Sequence, residues 1–145
     1  MRILCKIVDF SAPLNDLVII YIMYVRSILE QSCPLWHSSL TQEDSDNLER
    51  VQKCAAKTIL QENYTTYEES LEFLMLAKLS SRREKLCLRF ALNCSENPLT
   101  KELFPLNQKS HMETRKSEKY QVFHANTERL RNSTVPYLQR LLNTL

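Results

Sequence analysis

The stretch Leu14-Asn-Asp-Leu-Val-Ile-Ile-Tyr-Ile-Met-Tyr-Val-Arg-Ser-Ile-Leu-Glu-Gln-Ser-Cys-Pro-Leu-Trp36 decides the fold. Between Leu17 and Leu29 only Arg26 and Ser27 are neither apolar nor aromatic. With about 100° of rotation per residue, Leu17, Tyr21, Tyr24, Val25 and Ile28 share one dense face, widened by Val18, Ile22 and Leu29. Arg26, Ser27, Glu30 and Gln31 supply its polar side. A helix this apolar is expected to be buried at the centre of a domain with other helices packed round it. Its uninterrupted apolar run, Leu17 to Val25, falls well short of the ~20 residues that a membrane span needs. The expectation is therefore a core helix and no membrane partner.

Outward from that helix, the chain reads as helical. Its 145 residues suit one domain with a real hydrophobic core, and they include no glycine. Phosphate-cradling loops, nucleophile elbows and tight hairpins rely on backbone positions that glycine supplies, so most glycine-dependent catalytic architectures and β-rich folds are disfavoured. Residues 1–10 read as the end of a helix, and Pro13 is placed to open the central one. Pro34 interrupts it at its far end. Thr41, followed by Glu43 and Asp44, predicts a capped start for a helix reaching about Leu60, with Leu48, Val51, Ala55 and Ile59 inward. Thr66-Tyr-Glu-Glu69 has the spacing of a capping box. A further helix spans about Lys78 to Asn93 with Leu79, Leu86, Phe90 and Cys94 inward, and Asn97-Pro98 ends it. Residues 107–119 have no periodicity and read as a loop. A short extended segment is expected from Lys119 to Ala125, then a last helix, Val135 to Asn143, capped by Ser133 or Thr134. The expected fold is an all-α, compact multi-helix array around the central apolar helix, with a basic, partly irregular C-terminal arm. Residues 1–105 form the helical domain and 106–145 the arm.

Charge is unevenly placed within a net +2: residues 107–145 carry 7 Lys/Arg against 3 Asp/Glu. That arm suits an acidic partner such as nucleic acid. Five cysteines without Cys-x-x-Cys spacing, three of them on apolar stripes, point to reduced thiols in a reducing compartment. The N-terminus, interrupted by Lys6 and Asp9, makes a poor signal peptide, so an intracellular location, cytoplasmic or nuclear, is expected. Asn63, Asn93 and Asn132 then head coincidental Asn-x-Ser/Thr triplets.

Two basic rows follow from helical spacing. Arg50, Lys53 and Lys57 lie on one side of their helix, and Arg82, Lys85 and Arg89 on one side of theirs. Rows at i, i+3, i+7 suit successive phosphates, which give sequence-independent, salt-sensitive binding. They equally describe the solvated faces of amphipathic helices interspersed with Glu49 and Glu84. Arg83 falls among Leu79, Cys87 and Phe90 on an apolar face. Burying a guanidinium without a counter-charge costs several kcal/mol, so Arg83 is expected to form a structural ion pair, first with Glu30 and second with Glu49. Cys33 and His37 are four apart but have no second ligand pair, while a structural zinc takes four ligands, so no metal and no cofactor is expected. Trp36 reads as a packing anchor. No catalytic constellation emerges.

Six stretches in order resemble the C-terminal part of reverse transcriptases from non-LTR retrotransposons of the jockey-like, LINE type. They are Tyr24-Val-Arg-Ser-Ile-Leu-Glu30, Pro34-Leu-Trp-His37, Leu48-Glu-Arg-Val-Gln-Lys53, Tyr67-Glu-Glu-Ser-Leu71, Arg82-Arg-Glu-Lys-Leu-Cys87 and Thr127-Glu-Arg-Leu-Arg-Asn-Ser-Thr-Val-Pro136. The resemblance implies the thumb and the segment after it, which help to hold a template–primer duplex, either RNA–DNA or DNA. The family's catalytic aspartate pair has no counterpart among Asp9, Asp16, Asp44 and Asp46. Two-metal nucleotidyl transfer needs clustered carboxylates. The chain is thus expected to be a non-catalytic, truncated element that does not polymerise alone. Surface exposed by the missing palm would favour self-association. The competing expectation is a helical protein-interaction module, or a remnant with no selected activity.

Overall fold

The computed structural model describes residues 5–7, 12–107 and 119–144. It is all-α. Among the described residues the only β pairing is a single antiparallel bridge between Leu106 and Tyr120. The central part of the expected 107–119 loop, with His111, lies outside the described residues.

Pro13 precedes α1 (Leu14–Ile20), and its carbonyl accepts from Asp16 N at 3.0 Å. The chain then widens into a π-helical stretch, Tyr21–Arg26, before closing as α2 (Ser27–Glu30). The Ser27 hydroxyl donates to the Met23 carbonyl one turn back, a side-chain intrusion of the kind that bends helices. The wide turn corrects the burial expected of this segment. With i→i+5 bonding each residue advances by less than in an α-helix, so by Ile28 the face has slipped roughly a quarter turn. Leu17 and Tyr21 are buried and Val25 is half-buried, but Tyr24 and Ile28 point outward, Ile28 being 69% exposed. Ile19 and Met23 are exposed as well. The helix is one wall of a core, with an apolar outer side.

The residues divide into two compact units, one from Met1–Ser32 and Thr41–Arg83, the other from Cys33–Leu40 and Glu84–Leu145. This differs from a boundary at residue 105. The division falls inside a helix, between Arg83 and Glu84.

In the first unit, α4 (Gln42–Leu60) begins at Thr41, whose hydroxyl accepts from Asp44 N at 3.1 Å. α5 (Tyr67–Phe73) begins at Thr66, which accepts from Glu69 N at 3.4 Å. Both caps stand where the sequence places them, because an oxygen one turn ahead of unsatisfied N–H groups is a local device. The end of α5 is a Schellman turn made without glycine. Leu76 N reaches Leu71 O at 2.8 Å, Met75 N reaches Glu72 O at 3.0 Å, and Met75 takes φ 52°. Leu71 and Leu76 both enter the core, which gathers Leu17, Tyr21, Ala55, Ala56, Ile59, Leu60 and Leu74. Gln52 is fully buried there: its side-chain N–H donates to Ala77 O at 3.0 Å and its carbonyl accepts from Tyr21 OH at 2.8 Å.

α6 (Leu79–Glu96) buries Leu79 in the first unit and, in the second unit, carries Cys87 and Ala91 into a core. Phe90, expected inward, is part-exposed, and Ala91 takes the buried position. Cys33, Phe104, Leu138 and Leu142 complete this core, with Trp36 and Tyr137 packed on it. α3 (Cys33–Trp36), α7 (Glu128–Arg131) and α8 (Thr134–Leu142) belong to the same unit. Ser133 holds the cap position of α8, but its hydroxyl donates backward to Leu130 O at 2.7 Å and makes no cap bond. Part of the expected arm is docked. Gln139 donates to Leu103 O at 2.6 Å and accepts from Phe123 N at 2.7 Å. Asn143 exchanges two 2.9 Å bonds with the backbone of Tyr120.

Candidate nucleic-acid interface

α4 presents Ala55, Ala56, Ile59 and Leu60 to the first core, which turns Arg50, Lys53 and Lys57 to solvent. All three are exposed, as their spacing predicts. They line an open groove of about 440 Å³ together with Asp46, Glu49, Cys54 and Tyr67. Asp46 is an exposed acid one turn before Arg50, and Gln42 donates to it at 2.9 Å. Glu49 is committed to the protein. Its Oε1 accepts from Tyr67 OH at 2.5 Å and from Leu79 N at 3.3 Å, the first amide of α6. A carboxylate is favoured there because unsatisfied N–H groups and the helix dipole converge at a helix start. Burial, and then the bond to Glu49, push the Tyr67 hydroxyl well above the usual tyrosine range. Beside the groove, the Lys57 ammonium sits 5.2 Å from the centre of the Tyr64 ring, within cation–π distance.

The second row does not survive intact. Arg82 is half-buried and grips Glu30 with two bonds: Nη2 donates to Oε2 at 2.9 Å and Nε to Oε1. The Glu30 bond holds the Arg82 pKa above its ordinary value. Arg26 is close by, its pKa lowered by burial and then by repulsion from Arg82. A guanidinium forked onto one carboxylate is poorly placed to meet a phosphate as well. Lys85 and Arg89 are exposed, and both lie in the second unit.

Arg83 is buried as its apolar face predicts, with 1% of its surface accessible. Arg83 Nη2 donates to Ser45 Oγ at 2.6 Å, and the Glu30 carboxylate expected to pair with it is gripped by the adjacent Arg82. The second partner expected for Arg83, Glu49, serves Tyr67 and the start of α6.

The remaining candidates sit in packing environments. Cys33 is buried in the second core, and the His37 ring lies edge-on to Tyr137 at 5.7 Å. Among the described residues no group of three or more His, Cys, Asp or Glu side chains could hold a metal ion. Asp44 accepts from the Thr41 hydroxyl at 2.7 Å as part of a helix start, and Asp16 lies in the first turn of α1. Asp9 is outside the described residues. Among the described residues no helix is long and apolar enough to cross a membrane.

Sequence reading missed Tyr64 and Tyr67 as neighbours of the first row. They approach Lys57 and Glu49 only because the chain reverses at Gln61, which takes φ 49° and ψ −118°, and no periodic signal announces such a turn. No family model matches the chain, and no match is found among curated proteins or solved structures.

Proposed function

We propose that this chain is a non-catalytic element of the reverse-transcriptase type that binds nucleic acid without sequence preference. It would contact the backbone of a template–primer duplex through Arg50, Lys53 and Lys57. The observation that carries the reading is the exposure of all three cations along one face of α4, combined with the six ordered stretches that resemble the thumb and post-thumb region. Arg82 is left out of this surface because Glu30 holds it. The test is a fluorescence-anisotropy titration against a labelled RNA–DNA hybrid across a salt series. Three phosphate contacts predict that log K falls against log salt with a slope of about −3, and that replacing Arg50, Lys53 and Lys57 with Ala removes that slope. Arg82→Ala should leave it unchanged. A wild-type chain that stays folded and gives no binding at low salt overturns the reading.

One observation favours a second reading, a helical interaction module. Ile19, Met23, Tyr24 and Ile28 are all exposed on the first helical segment, and clustered apolar surface of this kind marks contact sites. Light scattering separates the two, because a module that self-associates through this surface becomes monomeric on Met23→Lys while its nucleic-acid affinity is untouched.

A further inference from the structure

The row on α4 lines a groove together with Tyr67, whose hydroxyl is tied to Glu49, so its ring cannot swing freely. Tyr64 stands at the Lys57 end with the ammonium over its face. Both rings also pack against the first core. Rings backed by a core lose little entropy when a flat group stacks on them, which is what makes a stacking platform effective. Over the seven residues from Arg50 to Lys57 the helix rises only about 10 Å. At about 440 Å³ the open groove has room for a nucleotide unit. Asp46 and Glu49 line the same groove, which confines an anionic backbone to the line of the three cations.

From this arrangement we infer that the groove takes an unpaired strand of nucleic acid: phosphates follow Arg50, Lys53 and Lys57, and a base stacks on Tyr64 in the place that Lys57 occupies. The inference rests on the nucleic-acid reading proposed above and deepens it: backbone contacts along the row hold any strand, and the neighbouring ring makes an unpaired strand the preferred one. Lys57 has a double role in it. In the unbound chain its ammonium covers the ring. In the bound chain the ammonium turns to a phosphate, so the ring is uncovered as the charge is neutralised. Stacking on aromatic faces tolerates any base, which keeps the site free of sequence preference.

The experiment compares the full chain's affinity for a fluorescein-labelled 20-nucleotide oligothymidylate with that for a 20-base-pair duplex at the same low salt. Tighter binding of the single strand by about tenfold or more is expected, as is a loss of about tenfold on Tyr64→Leu that the duplex does not show. Tyr64→Trp keeps a ring on the core and offers a larger stacking face, so it should hold the strand more tightly than the natural residue, which keeps the inference testable if the leucine variant does not fold. Equal or tighter binding of the duplex, or a single-strand affinity unmoved in both Tyr64 variants, overturns the single-strand assignment and leaves the duplex reading standing. Failure of both probes to bind overturns the two together.

Discussion

In the unit formed by Met1–Ser32 and Thr41–Arg83, the buried amide of Gln52 joins Tyr21 to the backbone at Ala77. In the unit formed by Cys33–Leu40 and Glu84–Leu145, the buried amide of Gln139 joins Leu103 to Phe123. The chemistry is the same and the objects held are different. Gln52 links one helical segment to the loop that leads into α6, on a core rich in leucine. Gln139, with Asn143 one turn later, holds an extended backbone segment that has no helix of its own to satisfy it. Where helices meet, apolar side chains carry most of the cohesion and the amide fixes the register. Where an irregular segment must dock, the amides supply the hydrogen bonds that secondary structure would have supplied.

The largest effect is expected from removing these amides. Gln139→Leu keeps the volume but orphans the Leu103 carbonyl and the Phe123 amide, at about 1–3 kcal/mol for each group that stays buried. Gln52→Leu orphans the Tyr21 hydroxyl and the Ala77 carbonyl on the same scale. Urea denaturation measures both losses, and hydrogen exchange sharpens the comparison. Gln139→Leu should release the Phe123 amide while α4 keeps its protection. Equal loss of protection in α4 would show that the two units unfold as one and that the contrast between them has no energetic meaning.

A smaller effect is expected in alkali, where burial raises the hydroxyl of Tyr137 on the second core as well as those of the first unit. Burial raises the Tyr21 hydroxyl above its ordinary value, as burial and the Glu49 bond do for Tyr67. A phenol whose folded pKa is raised contributes stability that is fully present below about pH 10, its unfolded value, and is lost as pH climbs from there towards the folded value. Thermal melts should therefore fall progressively above about pH 10, and Tyr67→Phe should flatten that fall although it lowers stability at neutral pH. A melt that is level to pH 11 would mean that these hydroxyls are open to water.

The smallest effects concern backbone conformation. Ser32, Gln61 and Met75 have positive φ in a chain without glycine. Met75 is 94% exposed, so Met75→Gly forfeits almost no packing while relieving a left-handed conformation that costs non-glycine residues about 1–2 kcal/mol. After allowance for glycine's greater freedom in the unfolded chain, a net gain of about 0.5–1 kcal/mol is expected in urea denaturation. A loss of stability would contradict the Schellman geometry at the end of α5.

Much of the helical architecture could be read from the chain alone. Thr41 and Thr66 cap where expected, α4 turns its cations outward, and Arg83 is buried, because each depends on a rotation of about 100° per residue or on groups within one turn. What the sequence could not determine is which helix each face would meet. Arg82 and Arg83 are adjacent, and only the placement of Glu30 across the core gave it to Arg82. Tyr24 and Ile28 were predicted inward by a regular helix and were turned outward by one wide turn, a shift that periodicity cannot carry. The division inside α6, the grip of Gln139 and Asn143 on residues 120–123, and the approach of Tyr64 to Lys57 all join groups distant in sequence or brought round by a chain reversal. Local rules fix the direction of a side chain about its own axis, and only tertiary structure decides what waits there.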